Sequence, residues 1–222
     1  MNKAKRHRQG ETQGMSGIIF YTNPQSRGQT VRWMLEELGE PYETVLLDYG
    51  TTMKSPDYLA INPMGKVPAI RHGRAIVTEA AAICAYLADA FPEAGLAPAL
   101  PDRAAYYRWL FFAAGPVESA MLDHFRKIVP EGEQKLMAGY GSWADVLNAL
   151  EIAVSQTDWI AGDRFSAADV YAGSAIDWPA KFGMIQPTPG MAAYLERLRA
   201  RPAYIRAKAI DAELVAKAAD GA

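Results

Sequence analysis

The chain has 222 residues, of which 50% are hydrophobic and 22% charged, a size and balance that suit one large or two small folded domains and exclude a disordered chain. A formal net charge of −2 leaves no global basic field for nucleic acid. One cysteine, Cys84, excludes an internal disulfide framework or a cysteine-based zinc site, and no run of 18 apolar residues is present to span a membrane; a cytoplasmic setting is expected.

Residues 1–16 open with MNKAKRHRQGETQG, which is polar and basic and lacks the apolar region of a secretory signal. This segment reads as a disordered tail or tag, with Met15 a candidate start. GIIFYTN (17–23) is a short apolar strand closed by turn residues. In the following SRGQTVRWMLEELG, Val31, Met34, Leu35 and Leu38 share one helix face, and Gly39 is placed to end it. YETVLLDY (42–49) reads as a second strand, and Asn62-Pro63-Met64-Gly65 as a turn. KVPAIRHGRAIVTE carries two short strands about His72-Gly73, and AAAICAYLADAF is helical. The order over 17–91 is therefore β-α-β, a loop, then β-β-α.

PEAGLAPALP (92–101) holds three prolines and a glycine and reads as a linker. Beyond it, over 102–222, the apolar patterns are helical. They run through DRAAYYRWLFFAAGPVESAM, GEQKLMAGYGSWADVLNALEIAVSQ, SAADVYAGSAIDW and GMAAYLERLRARPAYIRAKAI. The chain thus changes from α/β to all-α at the linker.

Three places carry candidate chemistry. A helix start presents free N–H groups and a positive dipole end, which favour an anion. Ser26 lies at the start of the first helix, where its hydroxyl either caps the helix or donates to a ligand thiolate. At Lys66-Val67-Pro68, a cis proline would expose the Val67 backbone to a peptide-like ligand bound by strand addition, with Lys66 near a carboxylate. The plainer reading is an edge strand with a solvated lysine. Glu79 and Ala80 open another helix. The acid either suits the dipole or accepts a ligand ammonium while the Ala80 N–H meets the neighbouring carboxylate.

Other candidates carry less. Cys84 lies on an apolar helix face and reads as an inert core thiol, and His7, His72 and His124 have no metal spacing. No phosphate loop is present, and RLRARPAYIRAK reads as a solvated helix face.

Each feature is weak alone, but their order resembles the glutathione transferase family. YTNPQSRGQTVRWMLEELG, INPMGKVPAI, TEAAAI and WIAGDRFSAADV carry the resemblance, from about Gly17 to Ile210. In the last of these, Ser166 and Asp169 have capping-box spacing and read as a folding element. The resemblance implies a thioredoxin-like N-terminal domain, a helical C-terminal domain and a homodimer. It implies glutathione as co-substrate, with no metal. Val67 and Pro68 match the clamp on its cysteinyl part, Lys66 a contact to its glycine carboxylate, and Glu79 with Ala80 the pair on its γ-glutamyl end. Serine or threonine usually stands at the latter position, so Ala80 lacks the family's hydroxyl.

Members activate the thiol with tyrosine, serine or cysteine near the end of the first strand. No cysteine lies there; Ser26 is the first choice, with Asn23 and Tyr21 as alternatives. The acceptor, a small apolar electrophile, is expected between the domains against an aromatic wall. Tyr107, Trp109 and Phe111 are its candidates, among Tyr106, Phe112, Met121 and Phe125. The implied reaction is conjugation of the glutathione thiolate or reduction of a peroxide. The alternatives are a non-catalytic ligand-binding or regulatory protein on the same fold and a glutathione-dependent disulfide reductase.

Overall fold

The structure is a computed structural model and describes residues 17–220. The reading of residues 1–16 as a tail lies outside these. Strand β1 (Ile18–Thr22) runs parallel to β2 (Tyr42–Leu46) through helix α1 (Gly28–Leu38). Gly39 ends α1 at φ 76°, donating its N–H to the Leu35 carbonyl at 3.1 Å, as its position predicts. Strands β3 (Ala69–His72) and β4 (Ala75–Thr78) form the hairpin, and β3 lies antiparallel to β1. The sheet order is β2-β1-β3-β4, and helix α3 (Ala80–Ala90) follows. One short helix, α2 (Pro56–Leu59), has no apolar period in the sequence; Ser55 caps it.

Alternation along β1 sorts its side chains onto two faces. Ile18 and Phe20 join Val31, Leu35, Ile83 and Leu87 in the main core. Tyr21 points the other way, into a smaller cluster with Leu47, Met53, Tyr58 and Ala69. The N-terminal half is thioredoxin-like, and the rest of the chain is helical.

The helical half comprises α4 (Ala104–Phe112), α5 (Glu118–Phe125), α6 (Glu133–Met137) and α7 (Trp143–Gln156). It continues with α8 (Ala167–Lys181), α9 (Pro189–Arg199) and α10 (Pro202–Asp220). Prolines break two patterns that read as continuous in sequence. A π-helical turn, Ala113–Val117, separates α4 from α5 and contains Pro116, which has no N–H to give the ladder. Pro202 likewise starts α10 afresh after α9.

Helix α1 packs against α8 and α10, and α3 against α8. Polar ties fix α1 in that frame. Arg32 meets Asp211 at 2.6 Å with both side chains buried, and Glu37 takes two bonds from Arg201 at 2.6 and 2.8 Å. Burial pushes the Asp211 carboxyl up and Arg32 opposes that shift. The helix whose first turn belongs to the candidate site is therefore held along its length by the other half.

Asp169 is fully buried and accepts four hydrogen bonds. Its partners are the Ser166 N–H (2.9 Å) and hydroxyl (3.1 Å), the Ile160 N–H (2.7 Å) and the Tyr194 hydroxyl (2.9 Å). The capping box expected from Ser166 and Asp169 is present, and it also ties α8 to the preceding loop and to α9.

Cys84 is buried in α3, and burial pushes its thiol pKa far above the ordinary value. We expect no reaction with a disulfide reagent at mildly alkaline pH in the folded protein and full reaction after unfolding in guanidinium. Rapid labelling of the folded protein would contradict this placement.

Candidate active site

The turn between β1 and α1 gathers hydroxyl and amide groups. The Ser26 hydroxyl donates to the Asn23 carbonyl at 2.6 Å and accepts the Gly28 N–H at 2.9 Å. It is half-buried, and the Arg27 N–H beside it has no hydrogen-bond partner among the described residues. The first turn of α1 holds no acidic residue, so no carboxylate of its own offsets the positive dipole end. Glycine is required at position 28. A Cβ there would lie 2.0 Å from the buried Thr22 Oγ1 and 2.9 Å from Ser26 Oγ.

The other two candidates near this turn are placed differently. Asn23 donates from Nδ2 to the Leu47 carbonyl at 2.9 Å, and its Oδ1 accepts the Gln25 N–H at 2.9 Å. Its Nδ2 thus holds the loop to the chain leaving β2, and its Oδ1 braces the turn itself. Tyr21, the third candidate, has its ring buried against Tyr58, 5.7 Å between centroids, on the sheet face away from α1 and α3. Strand alternation, not proximity in sequence to the turn, decides its direction.

The Asn62–Gly65 turn sets up a second feature. The Lys66 carbonyl accepts from both the Tyr58 hydroxyl and Asn62 Nδ2 at 2.7 Å, while Asn62 Oδ1 accepts the Met64 N–H at 3.1 Å. Burial pushes the Tyr58 pKa up to about 12, which keeps the hydroxyl a donor. The Val67–Pro68 bond is cis. Val67 is half-buried, and neither its N–H nor its C=O has a hydrogen-bond partner among the described residues. The Lys66 side chain is exposed. Lys54, which no sequence signal singled out, donates to the carbonyls of Met64 (3.1 Å) and Gly65 (2.9 Å) and brings a second ammonium to this turn.

The third feature is the start of α3. Ala80 is buried at its first position, and Glu79 before it is exposed. Glu79 adopts φ 67°, a left-handed conformation that costs a non-glycine residue about 1–3 kcal/mol. No residue type at or beside position 79 signals that geometry.

Two family models match the chain: the glutathione S-transferase N-terminal domain over residues 26–90 and the C-terminal domain over 104–202. The chain is 31% identical to Protein LigF of Sphingobium, covering 76% of this chain and 84% of that protein. It is 29% identical to glutathione S-transferase GST-4.5 of Xanthomonas campestris, covering 82% and 92% respectively. A solved sphingomonad glutathione S-transferase complexed with glutathione superposes with a TM-score of 0.71 at 31% identity, over 87% of this chain and 98% of that one. The chain belongs to the glutathione S-transferase family.

In this transferase, the aromatic residues of α4 separate into two environments. Trp109 is 7% exposed, packed edge-on to Phe112 at 5.5 Å and covered by Arg108. Tyr106 is buried too, and its hydroxyl has no partner among the described residues. Tyr107 and Phe111 are exposed, Phe111 at 73%. Arg103 joins the Tyr107 hydroxyl to Asp89 of α3. Phe125 is exposed and Met121 half-buried on α5. Among the described residues no group of three His, Cys, Asp or Glu could hold a metal ion, and no helix is long and apolar enough to cross a membrane.

Proposed function

We propose that this transferase joins the glutathione thiol to small apolar electrophiles, with Ser26 and the opening turn of α1 holding the thiolate. The observation that carries this reading is the Ser26 hydroxyl at a helix start whose adjacent Arg27 N–H is unpartnered. The Ser26 proton is given to the Asn23 carbonyl; rotation about one side-chain bond redirects it to a sulfur. A hydroxyl donor, a free amide and the dipole all favour the ionised thiol, whose reference pKa is about 8.5.

The remaining roles follow from the unpaired groups. Val67 offers its free N–H and C=O to the cysteinyl part, as an added strand does, with Pro68 following it. Lys66 and Lys54 supply cations for the glycine carboxylate. Glu79 accepts the γ-glutamyl ammonium, and the Ala80 N–H meets its carboxylate. Ala80 has no hydroxyl to add there, and one charge-assisted bond is worth about 1.5–3 kcal/mol. Tyr107 and Phe111 are the exposed rings left to meet an apolar acceptor, and peroxides are a second acceptor class. We assign glutathione binding to residues 17–91 and most of the acceptor wall to 102–222, joined by 92–101, in a cytoplasmic homodimer.

Calorimetry with glutathione and ultraviolet titration of the bound thiol test this together. The expected result is binding with a thiol pKa well below its reference value. An unshifted thiol removes the mechanism. Tight binding with no turnover of aromatic halides, peroxides or mixed disulfides favours a ligand-binding role, and turnover of mixed disulfides alone favours a reductase.

A further inference from the structure

Arg27 and Glu118 link the two halves where α1 and α5 begin. Arg27 Nε donates to Oε1 at 3.0 Å and Nη2 to Oε2 at 2.5 Å, a two-pronged fit between residues 91 positions apart. Arg27 is the neighbour of Ser26 in the chain, and Glu118 is the first residue after the π-helical turn. Tyr171 on α8 is half-buried, and its hydroxyl has no hydrogen-bond partner among the described residues. Burial pushes its pKa up, Glu118 adds to that shift and Arg27 opposes it.

The ion pairs that join the halves differ in accessibility. Arg32 and Asp211 are 1% and 5% exposed, whereas Arg27 and Glu118 are 63% and 31% exposed and Arg206 and Glu36 54% and 15%. Exposed pairs are screened by water and contribute little to stability. The guanidinium belongs to the residue after Ser26, and its solvent-exposed fork has the shape to take a carboxylate.

We propose that Arg27 selects acceptors bearing a carboxylate, gripping that group in the fork which Glu118 fills in the free protein. The inference rests on the transferase reading and names the acceptor class within it. Exchange of one carboxylate for another leaves the number of bonds to Arg27 unchanged and frees Glu118 to water. The aromatic acceptor wall and this fork describe one ligand: an apolar electrophile with an acidic edge.

The test uses two glutathione conjugates, a dinitrophenyl form and a carboxy-nitrophenyl form, with calorimetry on the wild type, R27Q and E118Q. R27Q is expected to lower affinity for the carboxylate conjugate by about tenfold more than for the neutral one. E118Q is expected to shift the preference towards the carboxylate conjugate by several-fold. Either variant breaks a mere clasp between the halves, so a structural role moves the preference the same way in both, or in neither, and that result overturns the proposal. Should R27Q fail to fold, R27K keeps the charge without the fork and is expected to lose a smaller part of the preference; no loss overturns the proposal. If the wild type binds neither conjugate, the transferase reading falls and this inference with it. If it binds both equally, only the inference falls.

Discussion

Replacing Ser26 with alanine is expected to lower kcat/KM for an aromatic halide by about a hundredfold near pH 7. The loss reflects removal of one preorganised donor to the sulfur, leaving the Arg27 N–H and the α1 dipole to stabilise the anion. The same substitution removes the acceptor for the Gly28 N–H and the donor to the Asn23 carbonyl. A lost cap of that kind costs about 1 kcal/mol, too little to unfold the domain. A pH profile separates the two consequences. The wild type should keep its rate down to a depressed thiol pKa, whereas the variant should recover rate only as pH approaches the thiol's reference value of about 8.5. The deficit is therefore largest at low pH and shrinks at high pH, where the thiol ionises unaided. A uniform deficit across pH points to damage of the loop, and full activity at every pH removes Ser26 from the mechanism. Asn23 is a poor substitute, because both ends of its amide are already tied to Leu47 and Gln25.

The parts of this arrangement that depend on short-range pattern were readable in the sequence. Val31, Met34, Leu35 and Leu38 declare α1 because their spacing matches a helix that buries one face, and Gly39 closes it because the next backbone step is left-handed. The β-hairpin after Pro68 and the Ser166–Asp169 cap are equally local. Direction within an aromatic run was not readable. Tyr106, Tyr107, Trp109 and Phe111 fall within six positions, and periodicity shows that they divide between faces without saying which face meets the other half of the chain. The structure buries Tyr106 and Trp109 and exposes Tyr107 and Phe111. Tyr21 is a related case: a hydroxyl near the turn is suggestive in one dimension, but the pleat turns it to the other side of the sheet, as alternation along the strand allows. Lys54 and the Arg27–Glu118 pair had no signal, because tertiary folding alone brings their partners near. The φ of Glu79 was hidden too, since glutamate is not a residue that advertises a left-handed backbone.

Substitution of Asp169 by alanine is expected to cost about 3–5 kcal/mol in urea unfolding, a large fraction of the stability of an ordinary domain. The reason is what remains behind. The Ser166 N–H, the Ile160 N–H and the Tyr194 hydroxyl would all stay in the interior without an acceptor, and each such group carries a desolvation penalty of about 1–3 kcal/mol. Asparagine at this position fills the volume but presents an NH₂ where one carboxylate oxygen accepted donors, so it is expected to recover only part of the loss. Ser166→Ala is the contrasting case: it removes the hydroxyl bond at 3.1 Å and leaves the N–H bond at 2.9 Å in place, and should cost about 1 kcal/mol. An Asp169→Ala variant within about 1 kcal/mol of the wild type would mean that water or a shifted loop satisfies these groups. The effect extends to function because α8 packs on α1 and α3. A frayed α8 start would loosen the two helices whose first turns form the proposed glutathione site. Asp169→Ala is therefore expected to weaken glutathione binding in proportion to its unfolding, whereas Ser26→Ala should leave binding nearly intact and raise the pKa of the bound thiol.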